Sequence, residues 1–137
     1  MSGFWRDRRA PSLEDFDALA REAYEALPAN LRALCGDVVI HVADFAEDDI
    51  LSDLGIEDPF ELTGLYEGAD LLSRSVDDAV REPGHVHLYR QPILAEWIDE
   101  ADIALDALIR HVLVHEIGHH FGLSDVDIDR IESDMTS

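Results

Sequence analysis

The apolar positions of this chain change period from segment to segment, and those changes mark out its elements. Leu13, Phe16, Leu19, Ala20, Ala23, Tyr24 and Leu27 recur every three or four residues, which puts them on one face of a helix. Ser12-Leu13-Glu14-Asp15 is a capping-box pattern that starts this helix, and Pro28 interrupts it. A second short helical piece follows at residues 29–35, then a turn at Gly36-Asp37. Val38-Val39-Ile40-His41-Val42 is β-branched and almost continuously apolar, which predicts a strand buried on both faces. In residues 47–54, Ile50, Leu51 and Leu54 keep helical step, and Gly55 stops them.

Residues 62–67 read as a strand closed by Gly68, and the polar residues 75–81 as a loop. After the Pro83-Gly84 turn, Val86 and Leu88 alternate with His85, His87 and Tyr89, so the two sets face opposite sides of a strand. Pro92 close behind predicts an edge position for that strand. Residues 92–97 then lead into the longest pattern, in which Leu105, Leu108, Ile109, Val112, Leu113 and Ile117 stay in step. It predicts one helix over 99–121, with Asp99 as N-cap and Glu100 and Asp102 in the first turn, where the helix dipole favours acids. Few charges fall between Arg110 and Glu116, so this helix is expected to be central and buried on several sides. Val126, Ile128 and Ile131 allow a final short helix. Helices and strands do not alternate regularly, so the expected class is α+β, with a small mixed sheet packed on the two longer helices.

Composition narrows the function. At 137 residues, 47% of them apolar, the chain is expected to form one globular domain over residues 12–137. Residues 1–11, with Arg6, Arg8 and Arg9, read as a flexible basic arm. No apolar stretch follows those arginines, so no secretory signal is expected and the cytoplasm is the default compartment. Nothing approaches the length of a membrane span. The lone Cys35 excludes an internal disulfide and reads as a small core residue. The formal charge is −21, and every basic residue is Arg. Such a surface repels phosphate backbones, so a nucleic-acid partner is not expected, whereas a basic peptide or protein would be attracted. Nothing in the composition specifies an oligomeric state.

The chemistry is concentrated in residues 115–125, H-E-I-G-H-H-F-G-L-S-D. His115 and His119 are four apart, so on a helix both imidazoles aim at one point, a good partial shell for zinc. Glu116 projects beside that point, where it can take a proton from water. Gly122 can adopt a left-handed conformation, end the helix and let the chain fold back to present Asp125 as a third ligand. Three protein ligands leave a fourth position for water, as a catalytic zinc requires. Shuffling this composition yields H-E-x-x-H in roughly 3% of chains, but adding the later Gly and Asp lowers that to roughly 1 in 4,000. That rarity favours a metal site over an ordinary buried helix.

The remaining candidates read more plainly. His120 points about 100° away from His119 and is expected to contact Asp125 or the sheet instead of the metal. His111, one turn before His115, reads foremost as a satisfied core histidine, with a partner to a metal ligand or a ligand to another metal as the alternatives, and His41 reads as a structural residue in a buried strand. His85, His87 and Tyr89 read as an exposed polar strand face; turned toward a cleft, Tyr89 or a His would stabilise an oxyanion. Trp5 and Trp97 read as packing. Glu47-Asp48-Asp49 reads as a solvated face without the spacing of a calcium loop.

The 115–125 segment is similar to the active-site helix of the small bacterial zincin-like, or minimal metallopeptidase-like, family. Two further segments resemble it: L-T-G-L-Y-E-G at residues 62–68 with the later Ser73-Arg74-Ser75, and H-L-Y-R-Q-P-I at residues 87–93. Together they cover residues 62–131. The resemblance implies a zincin fold, a small sheet over the helix with one edge strand lining a cleft, and a zinc-dependent peptidase. Metzincins and snapalysin-like enzymes, similar in motif only, carry a third His or Asp three residues after the Gly, which gives that role to Asp125. Metzincins also place a Met turn beneath the metal, and Met135, two residues from the end of the chain, does not fit it. Gluzincins take a Glu from a later helix, which keeps Glu132 open as the alternative, with Asp125 preferred for its spacing.

The expected function is therefore peptide-bond hydrolysis, with Zn²⁺ on His115, His119 and Asp125, and Glu116 as general base. A substrate peptide would add as a strand beside residues 85–89. The alternative is a zinc-stabilised interaction module with little or no activity. The two differ on whether Glu116 matters.

Overall fold

The computed structural model describes residues 9–68, 83–100 and 102–136. The expected loop at residues 75–81, the Ser73-Arg74-Ser75 segment, Trp5 and most of the basic arm lie outside the described residues.

The capping box forms as its sequence requires. Ser12 Oγ accepts from the Asp15 amide at 3.1 Å, and the Asp15 carboxylate accepts from the Ser12 amide at 2.9 Å. Helix α1 (Leu13–Glu25) follows and buries Phe16, Ala20 and Ala23. After Pro28, α2 (Ala29–Cys35) buries Leu31 and Cys35. Gly36, at φ 64°, turns the chain into strand β1 (Val38–Ala43). Helix α3 (Asp48–Leu54) ends at Gly55, whose φ of 71° closes its last turn. A 3₁₀ turn (Pro59–Glu61) leads to β2 (Gly64–Glu67). Strand β3 (Gly84–Tyr89) runs directly into α4 (Arg90–Asp99), then come α5 (Leu105–His120) and α6 (Asp125–Thr136).

The class is α+β, as expected: six helices and a mixed three-stranded sheet among the described residues, in the order β1-β3-β2. β1 lies parallel to β3, with Val38 opposite Gly84, and β2 lies antiparallel to it, with Gly64 opposite Leu88. Ile40, Tyr66, Val86 and Leu88 face the helices and join Phe16 and Ala20 of α1 and Leu108, Ile109, Val112 and Leu113 of α5 in the main core. A smaller cluster, Ala46, Leu51 and Tyr89, packs with Ile50, Ile56, Leu62 and Leu65. No helix among the described residues is long and apolar enough to cross a membrane.

Four local expectations change. β1 is an edge strand, so its continuous apolar run does not signal burial on both faces: Val39 and His41 are exposed. β3 is the central strand, paired on both sides, because Pro92 belongs to α4 and not to the sheet. There the proline sits in the first helical turn, where a missing amide costs nothing. The strand expected over 62–67 is shorter and starts at Gly64. The helix expected over 99–121 is two helices. Asp99 closes the first, and Ala104 precedes the second with no side-chain cap. The break is fixed by Trp97, whose indole Nε1 donates to the Ile103 carbonyl at 2.8 Å and holds the connection out of helical path.

Candidate metal centre

The motif occupies the last two turns of α5, a helix whose other faces are packed. Leu113, Val114 and Ile117 are fully buried, so the backbone that carries His115, Glu116 and His119 is fixed by the core. The end of α5 follows from Gly122. At φ 77° its amide donates to the His119 carbonyl at 3.0 Å, while the Leu123 amide donates to the Gly118 carbonyl at 2.9 Å. These two bonds form a Schellman cap, which reverses the chain within three residues. Ser124 Oγ then accepts from the Asp127 amide at 3.2 Å and opens α6.

The reversal brings α6 back along the histidine face of α5. His119 Nε2 lies 2.9 Å from Asp125 Oδ1. His115 Nε2 lies 3.6 Å from Glu132 Oε1 and 4.0 Å from Asp129 Oδ1. His111 Nδ1 lies 3.0 Å from Glu132 Oε2. His111, His115 and His119 form one row, and Asp125, Asp129 and Glu132, at intervals of four and three, face it. The close approach of the two helices depends on Gly118, where a Cβ would come within 2.6 Å of Ile128 Cγ1.

His115, His119 and Asp125 each offer a ligand atom, and these atoms lie within 4.8 Å of one another. The donor set, two imidazoles and a carboxylate, suits zinc. His115 Nε2 is buried and has no hydrogen-bond partner among the described residues. Such an orphaned nitrogen is costly unless an ion meets it, so these residues fit a bound zinc. Burial, then the neighbouring His111, pushes the His115 pKa down, which keeps the imidazole neutral and able to ligate. Asp125 is pushed down by its hydrogen bond to His119 and is therefore a carboxylate.

Glu116 is partly buried beside strand β2. A Cβ on Gly64 would lie 2.8 Å from Val112 Cγ1 and 3.3 Å from Glu116 Cγ, so the bare glycine lets the strand press against the helix at this point. Burial raises the Glu116 pKa, opposed by nearby His119. A carboxylate raised in this way is a better proton acceptor than a solvated one.

The other histidines divide clearly. His120 contacts the sheet, its ring 4.3 Å from that of Tyr66. His111 is not a core residue: its side chain is 45% exposed and paired with Glu132. His41 is exposed, and its ring stacks on His87 at 4.7 Å and on His85 at 5.1 Å. His85 and His87 alternate with the buried Val86 and Leu88, so they lie on the strand face turned away from the main core. Tyr89 shares their face and is buried in the small cluster.

A packed helix bearing two histidines one turn apart and a glutamate between them, beneath a small mixed sheet, is the layout of a zincin. The family model described as Zincin-like metallopeptidase matches residues 35–135, and the chain belongs to that family. Comparison with curated proteins finds no match. Three site features were missed from the sequence: the His111–Glu132 pair, Asp129, and the close approaches at Gly64 and Gly118. The first two carried a signal, because 125, 129 and 132, in steps of four and three, fall on one helical face just as 111, 115 and 119 do in steps of four.

Proposed function

We propose that the protein is a zinc-dependent peptidase in which His115, His119 and Asp125 hold the ion. The observation that carries this is the buried, unpartnered Nε2 of His115 one turn from the His119–Asp125 pair. When bound, zinc supplies Lewis acidity toward the scissile carbonyl and lowers the pKa of water. Glu116 takes a proton from the attacking water and passes it to the leaving amine. Its partial burial and raised pKa support that role.

The substrate enters as an extended peptide against β2. β3, the strand first expected to receive it, has neighbours on both sides. β2 is an edge among the described residues and lies against α5 beside Glu116. A strand added there pairs with the β2 backbone and runs past the site. The charge of −21 favours a basic peptide. Residues 12–137 form the domain that carries the activity. Residues 1–11 form a basic arm whose base is tied down where Arg90 donates to the Pro11 carbonyl at 2.9 Å. Burial pushes the single thiol, Cys35, up to about 11, which keeps it protonated and unreactive.

Zinc affinity measured by chelator competition tests the ligands, and cleavage of a peptide library tests the chemistry. His119→Ala and Asp125→Asn each weaken zinc by at least the ~10-fold that losing even an outer partner of a ligand costs. Unchanged affinity in both variants overturns the ligand set. Hydrolysis by the parent protein that Glu116→Gln leaves intact overturns the general base. No hydrolysis by a zinc-loaded protein would support the interaction module instead.

A further inference from the structure

We infer that α5 and α6 carry a second seat for a divalent transition metal, built from His111, His115 and Glu132 and mutually exclusive with the first. It rests on the zinc-binding role of His115 stated above and extends it to residues that role does not use.

The ligand atoms of His111, His115 and Glu132 lie within 4.8 Å of one another, as close as those of the first set. The donors are again two imidazoles and one carboxylate. Two observations beyond this clustering point to an ion. His111 Nδ1 sits 2.9 Å from Glu132 Oε1, but its hydrogen bond runs to Oε2, so Oε1 is buried without one. The facing atom, His115 Nε2, is also buried without a hydrogen bond, and the two stand 3.6 Å apart. That is too long for a hydrogen bond and close to the ~3.3 Å that separates two donors around a tetrahedral zinc with bonds of about 2.0–2.1 Å.

The seats differ in shelter. The ligands that the seats do not share are His111 and Glu132, 45% and 22% exposed, and His119 and Asp125, 53% and 81% exposed. Both sets include His115, and its buried Nε2, which makes no hydrogen bond, has a single lone pair, so an ion on it in either seat excludes the other. An ion in the second seat has left His119 but, bonded to the same His115 nitrogen at about 2.0–2.1 Å, lies no more than ~4.2 Å from the catalytic position. The protein therefore holds one zinc in two alternative places, of which one can support hydrolysis.

Zinc and Co²⁺ binding to the full chain tests this, with stoichiometry and affinity from competition titration and geometry from the Co²⁺ visible spectrum. The parent protein binds one ion per chain; two tightly bound ions would overturn exclusivity. His119→Ala still binds one Co²⁺, more weakly, with an altered spectrum. Adding His111→Ala or Glu132→Gln to that variant weakens the residual site by at least tenfold. Failure of His119→Ala to bind any ion, or equal affinity in the double variants, overturns the second seat. If His111→Ala alone abolishes tight binding while His119→Ala does not, the second seat stands and the first ligand set fails. Circular dichroism and melting of each variant verify folding, and His111→Gln gives an independent truncation should His111→Ala melt early.

Discussion

Gly118 of α5 and Ile128 of α6 meet where the two helices cross, and there is no room for a methyl group between them. A Cβ on Gly118 would lie 2.6 Å from Ile128 Cγ1 and 2.8 Å from its Cδ1. Ile128 is fully buried and β-branched, so it cannot rotate clear without displacing its own helix. Gly118→Ala therefore pushes α6 away from α5 at the point that sets the spacing of Asp125, Asp129 and Glu132 to the histidines. The expected cost is about 1–3 kcal/mol. Denaturant unfolding measures it, and chelator competition should show weaker zinc in the same variant. A gain in stability at unchanged zinc affinity would contradict this coupling.

Glu116→Gln separates chemistry from fold. The carboxylate is partly buried and its pKa is raised by that burial, so its charged form opposes folding near neutral pH. The amide has the same shape and no charge. The variant should keep zinc, lose about 10²–10⁴-fold in hydrolysis, and melt higher than the parent protein in the presence of chelator. A lower melting temperature would show that the carboxylate has a stabilising partner.

Tyr89 is 3% exposed, and its hydroxyl has no hydrogen-bond partner among the described residues. Burial pushes its pKa up to about 12. Removing an unsatisfied buried hydroxyl while keeping the ring relieves a desolvation cost. Tyr89→Phe is expected to be neutral or to stabilise by up to about 1 kcal/mol, read by denaturant unfolding. A loss above about 1 kcal/mol would mean that the hydroxyl is bonded.

Acid should destabilise the fold through two histidines. Burial is the largest cause of the depressed pKa at both His115 and His87. A depressed histidine binds its proton more weakly in the folded chain than in the unfolded one. Its contribution is therefore whole above the ordinary histidine value of 6.5 and is lost as pH falls below it. The raised Glu116 has the opposite sign, so Glu116→Gln with chelator present is the background for the measurement. Melting temperatures from pH 8 to 5 should fall below about pH 6.5. The fall should be smaller when His87 is replaced by Gln, and an unchanged slope would exclude it as a contributor.

Much of this protein is written in local sequence. The Ser12 capping box, the glycine stops at Gly55 and Gly122, and the His115–His119 spacing need only nearby residues, because caps and helical faces are set within one or two turns. The order of elements and the α+β class follow from the same signals. Strand rank did not follow, because β1 and β3 carry patterns that depend on which neighbour pairs with them. Val38-Val39-Ile40 looks buried on both sides only if another strand flanks it, and Pro92 marks an edge only if it lies in the sheet. The break after Asp99 was equally hidden, since it depends on Trp97 reaching the Ile103 carbonyl. The sequence determined that two histidines and a glutamate share one helix end. Only the tertiary structure decided that α6 returns along that face with Asp125, Asp129 and Glu132 opposite the histidines, because that pairing rests on the packing of Ile128 against a bare Gly118.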